Sequence, residues 1–94
     1  MPELYLTPRA EADLREIWLY SFKKWSEEQA DRYLHELESG MLRLIDNPQF
    51  GKKRDDVRMG YRSLQVNRHI VFYRMMGGQI EIVRILHARM EPQI

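Results

Sequence analysis

Two amphipathic helical patterns abut with almost no chain between them, and this constrains the fold more than any other feature. Thr7-Pro8 opens the first, with Thr as the N-cap and Pro at the first helical position, where its missing N–H costs nothing. Ala10, Leu14, Ile17, Trp18, Phe22 and Trp25 then recur at helical spacing as one apolar face, and Arg9, Glu11, Asp13, Arg15, Glu16, Lys23 and Lys24 are read as lying off it. Ser26-Glu27-Glu28-Gln29 is a second start signal, a capping box with two acids in the positive first turn. Ala30, Tyr33, Leu34, Leu37, Met41, Leu42, Leu44 and Ile45 continue with helical period until Asn47-Pro48, where the residue before Pro is pushed out of the helical region. Helices this close in sequence fold back as an antiparallel hairpin. Gly40 costs roughly 1 kcal/mol against Ala inside a helix. Close packing on the first helix would explain it; a weak spot with no role is the alternative.

The rest of the chain reads as strands. Glu3 to Leu6 is a short opening strand. Residues 49–57, polar and holding Gly51-Lys52-Lys53-Arg54-Asp55-Asp56, read as a loop. Residues 61–66, 69–75 and 79–87 are strand-like, joined through Asn67-Arg68 and through Gly77-Gly78, a good tight hairpin turn. Short turns make these three strands antiparallel neighbours. The order β-α-α-β-β-β predicts an α+β fold in which a helical hairpin packs on one face of a small antiparallel sheet and leaves the other face solvated. No internal repeat or domain boundary divides residues 1–94, which are read as a single domain. The predicted core is Leu4, Leu14, Ile17, Trp18, Leu34, Leu37, Leu42, Ile70, Phe72, Ile82 and Ile85.

Composition then narrows the function classes. With 94 residues, 44% hydrophobic and 31% charged, the chain is an ordinary globular mix with room for one modest core. The absence of cysteine removes thiolate nucleophiles, disulfides and cysteine-ligated metals together, and fits a reducing cytoplasm. The longest apolar runs are four residues (Ile17–Tyr20 and Ile70–Tyr73), too short for a membrane span, and the N-terminus does not read as a secretory signal. The net charge of +1 hides an asymmetry: residues 1–48 carry six Lys/Arg and ten Asp/Glu, whereas residues 49–94 carry nine and four. Arg58, Arg62, Arg68, Arg74, Arg84 and Arg89 share that half with one intervening acid, Glu81. Such a bias points to an acidic partner, nucleic acid or an acidic protein segment, with pairing to the acidic helices of the same molecule as the alternative for any single arginine.

Candidate chemistry is sparse. His35 sits beside the apolar stripe of the second helix; His69 and His87 lie in neighbouring strands, near opposite ends of the region. No spacing suits a metal, no Ser occupies a nucleophile elbow, and no glycine-rich loop cradles phosphate, so no cofactor or metal is expected. One catalytic scheme remains: in-line attack by an RNA 2′-hydroxyl, with Arg62, Arg74, Arg84, Arg89 and His87 as the cationic part. It lacks a convincing acid/base partner. Trp25, at the end of its helix, is a plausible exposed anchor, and Met75, Met76 and Met90 suit peptide binding if exposed. Arg74 and Arg84 alternate with apolar neighbours and are equally placed to be buried and paired.

Six segments together resemble the ParE toxins of bacterial type II toxin–antitoxin pairs, in the ParE/RelE superfamily, over about residues 3–91. They are Leu6 to Trp18, close to L-x-x-x-A-x-x-D-L-x-x-I; Trp25 with Gln29-Ala30, where Ser26 replaces the usual Gly; Asn47-Pro48-x-x-Gly51; Arg58-x-Gly60-Tyr61-Arg62; His69 to Arg74; and Ile82 to Met90, close to I-x-R-I-L-H-x-R-M. The resemblance implies a cofactor-free, non-enzymatic cytoplasmic poison of DNA gyrase. It also implies a ParD-like antitoxin whose tail wraps the toxin in a hetero-oligomer, with DNA engaged only through antitoxin or gyrase. The implied partner-facing residues are Arg62, Arg74, Arg84, His87, Arg89, Met90 and Trp25. RelE-like toxins, ribosome-dependent mRNA endoribonucleases, are the alternative. Their active sites combine basic residues with a Tyr, or a His-Tyr pair, near the C-terminus. Here Ala88 follows His87, and the tail from Met90 to Ile94 has no aromatic residue.

Overall fold

A computed structural model describes residues 2–94. The elements run β1 (Leu4–Leu6), α1 (Pro8–Lys24), α2 (Glu27–Asp46), β2 (Lys52–Lys53), β3 (Arg62–Val66), β4 (His69–Met76) and β5 (Gln79–His87). The strands form one sheet in the order β1-β5-β4-β3-β2 with the two helices packed on it, the α+β architecture expected. The sheet is mixed rather than antiparallel throughout. β4 occupies one side of β5, so β1 takes the other and runs parallel to it, Leu4 opposite Ile80 and Leu6 opposite Ile82. Parallel pairing needs a long connection, and the whole intervening chain supplies it. β1 lies between Pro2 and Pro8 at one sheet edge. At the other edge, Lys52 and Lys53, expected in a loop, pair with Ser63 and Arg62.

The helix starts follow their capping chemistry. Thr7 Oγ1 accepts from the Ala10 N–H at 3.1 Å and donates to the Val83 carbonyl at 2.9 Å, so the cap also fastens α1 to β5. Ser26 Oγ accepts from the Gln29 N–H at 3.1 Å. The turns demand left-handed backbone, found at Gly77 (φ 59°), Gly78 (φ 79°) and Asn67 (φ 54°).

The core gathers Ala10, Met41 and Leu44 from the helices with Val71, Tyr73, Ile80, Ile82 and Ile85 from the sheet. Leu37 and Phe72 are also buried, and Leu4, Leu14 and Ile17 pack against the cluster in part. Leu42 departs from expectation at 54% exposed, because Met41 and Leu44 take the sheet-facing positions of α2. Trp18 is only partly buried, its indole N–H reaching Asp31 Oδ1 across the helix pair at 2.8 Å. Asp13, read as lying off the apolar face of α1, is buried. The sheet face expected to be solvated is partly covered. Phe72 alternates with core-facing Val71 and Tyr73, yet is buried with the Arg54 guanidinium 5.3 Å from its ring centre.

Two glycines mark close approaches. A Cβ on Gly40 would lie 2.6 Å from Val66 Cγ2, so the missing side chain seats α2 on β3, not on α1. At Gly51 a Cβ would meet the Tyr73 hydroxyl at 2.6 Å and the Ser63 carbonyl at 2.7 Å. The Tyr73 hydroxyl accepts from the Gly51 N–H and donates to the Pro48 carbonyl, each at 2.8 Å. One buried phenol thereby holds the turn that returns the chain from α2 to the sheet. Replacing it leaves a buried donor and acceptor unpaired, so Tyr73→Phe is expected to lower stability by about 1–3 kcal/mol. A urea titration reads this directly, and an unchanged midpoint would remove the phenol from its fastening role.

Candidate functional site

The structure separates the predicted site residues into two groups. Arg62, Arg74 and Arg84 are engaged inside the molecule. Arg62 Nη1 donates to the Gly51 carbonyl at 2.7 Å and to the Gln49 carbonyl at 3.3 Å. Arg74 Nε donates to Glu81 Oε1 at 2.8 Å, with its guanidinium 5.9 Å from the Tyr61 ring centre. Arg84 grips Asp13 through two parallel bonds, Nε to Oδ2 at 2.8 Å and Nη2 to Oδ1 at 2.9 Å. The same Asp13 Oδ2 accepts the Ile85 N–H at 2.9 Å. A bulge makes this possible: Arg84 opposes Phe72 and Ile82 opposes Tyr73, so Val83 has no partner on β4. Both side chains of the pair are nearly buried, 15% exposed for Arg84 and 10% for Asp13, and Asp13 holds the guanidinium pKa above its ordinary value.

Trp25, Arg89 and Met90 are exposed, and His87 is half-buried, its Nδ1 accepting the Arg89 N–H at 3.1 Å. Trp25 caps the C-terminus of α1 and is 49% exposed; Met90 is 56% exposed. Trp25 and His87 line a cleft of about 360 Å³ with Tyr20 and Ser21 of α1, Tyr33 and Glu36 of α2, and Asn67, Arg68 and His69 at the β3–β4 turn. A smaller hollow of about 180 Å³, holding Arg84, His87 and Met90, shares Tyr20 and His87 with it. The Arg68 carbonyl accepts from the Ala88 N–H at 2.8 Å, which ties the turn to the tail. Among the described residues neither Arg68 nor Arg89 forms an ion pair.

The two strand histidines are not at opposite ends. Antiparallel pairing folds the start of β4 onto the end of β5, so His69 and His87 are direct cross-strand partners with ring centres 5.3 Å apart. The Tyr33 hydroxyl accepts the Arg68 N–H at 3.2 Å and lies 2.6 Å from His69 Nδ1. The phenol and the imidazole Nδ1 therefore share one proton-bearing contact, whose direction is set by the His69 tautomer. Burial first, and His87 second, hold the His69 pKa down at about 4, against an opposing pull from Asp13. Burial likewise pushes the Tyr33 phenol up. Sequence reasoning missed Asp13, Tyr33 and Arg68. Asp13 carried a usable signal, since Ala10, Asp13, Ile17 and Ser21 follow helical steps on one face. Arg68 carried only its membership of the basic second half, and Tyr33 carried none, because the two meet across the fold.

Two outcomes follow from this geometry. Arg84→Glu places two carboxylates together and is expected to cost about 3–5 kcal/mol, as losing one partner of a buried pair does. Arg89→Glu should melt like the parent, and paired thermal melts decide. The second concerns pH. His69 takes up a proton near 6.5 when unfolded and near 4 when folded. The unfolded chain therefore binds more protons between those values, and stability falls as pH drops from 6.5 to 4, then levels below it. His69→Asn, which keeps an acceptor near Nδ1 and cannot titrate there, should flatten that part of the melting-temperature profile. An unchanged slope would assign it to other groups.

The comparisons agree with this fold. The family model for the ParE toxin of type II toxin–antitoxin systems, parDE, matches residues 4–92. Toxin ParE1 of Mycobacterium tuberculosis is 44% identical over 87 residues, covering 92% of this chain and 89% of that protein. Toxin ParE1 of Caulobacter vibrioides is 41% identical over 88 residues, covering 94% and 91%. A chain from the chromosomal ParDE system of P. aeruginosa superposes with a TM-score of 0.83 at 25% identity, over 93% of this chain and 96% of that one. With a family model spanning nearly its whole length and relatives of this identity over their own lengths, the chain belongs to the ParE toxin family of type II toxin–antitoxin systems.

Proposed function

We propose that the chain acts as a single toxin domain over residues 1–94, in the cytoplasm, by binding and inhibiting DNA gyrase, and that a ParD-like antitoxin neutralises it in a hetero-oligomer. Family membership supports the toxin role, and the ParDE system in the structural comparison supports an antitoxin partner. The observation that carries binding rather than bond-making is the fate of the arginines. Phosphodiester cleavage needs guanidinium groups free to meet growing phosphate charge. Of the four arginines in that scheme, Arg62, Arg74 and Arg84 are instead held by Gly51, Glu81 and Asp13, which leaves Arg89 as its one guanidinium outside such a contact. In this reading they shape the framework, while Trp25, His87, Arg89 and Met90 face the partner.

Inducing the chain alone in a bacterial host and following thymidine and methionine incorporation together tests the reading. DNA synthesis should stop first, and purified gyrase should lose supercoiling activity in the chain's presence. Collapse of methionine incorporation first would bring back the ribosome-dependent endoribonuclease. Arg89→Glu should keep the fold and lose most toxicity. A folded, fully toxic Arg89→Glu chain would remove that residue from the partner-facing set.

A further inference from the structure

The 360 Å³ cleft beside His69 falls within the range of small-molecule sites, and its lining is varied in an instructive way. On one wall stands the half-exposed Trp25 ring, with Tyr20 edge-on at 6.4 Å between ring centres and Lys24 Nζ 5.6 Å from the Trp25 centre. At the back the rings of Tyr33 and His69 meet edge to face at 5.4 Å, locked by their hydrogen bond. Gln29 and Asn67 bring side-chain amides, and no hydrogen bond from the Gln29 side chain is found among the described residues. Glu36 is the one carboxylate in the lining, and it accepts from Asn67 Nδ2 at 2.5 Å. Arg68 is the one guanidinium, without an ion-pair partner.

A flat aromatic wall, a free Gln29 amide, the Asn67 side-chain carbonyl oxygen, and one guanidinium in the lining without an ion-pair partner match the parts of a single ligand class. We propose that this cleft binds a nucleotide, with the base stacked on Trp25, its edge met by Gln29 and Asn67, and its phosphate on Arg68. A purely apolar ligand would offer nothing to the Gln29 amide, whose side chain has no hydrogen bond among the described residues. A bare anion would have no use for the ring. Stacking tolerates any base because every base offers a π-face, so selectivity rests with the two amides. Tyr33 and His69 touch the ligand only through the back wall they form; their bond keeps that wall rigid.

The test is independent of whether gyrase is the target, since it reads binding to the free chain. The isotopically labelled full chain is titrated with adenosine and thymidine monophosphate, with a short oligothymidylate, and with inorganic phosphate. Nucleotides should shift the Trp25 indole and the Gln29 and Asn67 amide signals, with dissociation constants of roughly a millimolar. Trp25→Ala and Arg68→Glu should each weaken this by about tenfold or more, the loss of one stacked ring or one charged hydrogen bond. Arg68→Lys, which keeps the charge, should retain most of it. An oligonucleotide bound about tenfold or more tighter, with steep salt dependence, identifies a nucleic-acid strand as the source; equal affinities identify a free nucleotide. No shifts, the same shifts from inorganic phosphate alone, or shifts indifferent to both variants overturn the proposal.

Discussion

One carboxylate sets how the helical layer sits on the sheet. β1 is only three residues long and its pairing with β5 ends at Ile82, so further along β5 the backbone needs another partner. Asp13 supplies it from α1, accepting the Ile85 N–H and clasping the guanidinium that the β5 bulge presents. Two charges leave water together here, which is tolerable because each oxygen of the acid is bonded. The position of α1, and with it Tyr20 and Trp25 at the far end of the helix, follows from this clasp. The Thr7 cap on the Val83 carbonyl and the core packing of Ala10 hold the start of the helix, and the clasp fixes its middle.

The same interaction changes how the charge asymmetry is to be understood. Counted along the chain, the second half looks like one broad cationic surface. Folded, it divides. Arg54, Arg74 and Arg84 satisfy carboxylates and Arg62 satisfies two carbonyls, so much of the excess is spent on joining the loop, the sheet and α1. What stays outward near the cleft is concentrated where the β3–β4 turn meets the tail, at Arg68 and Arg89. Near the cleft that charge is bordered by aromatic rings, with Lys24 over the Tyr20 and Trp25 rings.

Local chemistry made most of the fold legible. Thr7 and Ser26 announced both helix starts, Pro48 the helix end, and Gly77-Gly78 the β4–β5 hairpin, because each acts on its own neighbours. What escaped depends on contacts distant in sequence. The parallel β1 joins residues nearly the whole chain apart; Asp13 is polar by composition and buried by circumstance; Gly40 could not reveal that Val66 fills its space. The site was legible in the same proportion. Trp25 was readable as an exposed helix end, but the Tyr33, His69 and His87 cluster exists only after antiparallel pairing brings the ends of β4 and β5 together.

The short outer strands have a bearing on self-association. A sheet edge is a template for another chain, and long apolar edges drive fibril growth. This sheet presents none. At one side, Pro2 and Pro8 bracket β1, neither able to donate to an arriving strand. At the other lie two adjacent lysines, whose like charges repel a second copy arriving in register. The molecule can therefore expose aromatic rings at one end while its outermost strands stay short and discourage polymerisation at either flank.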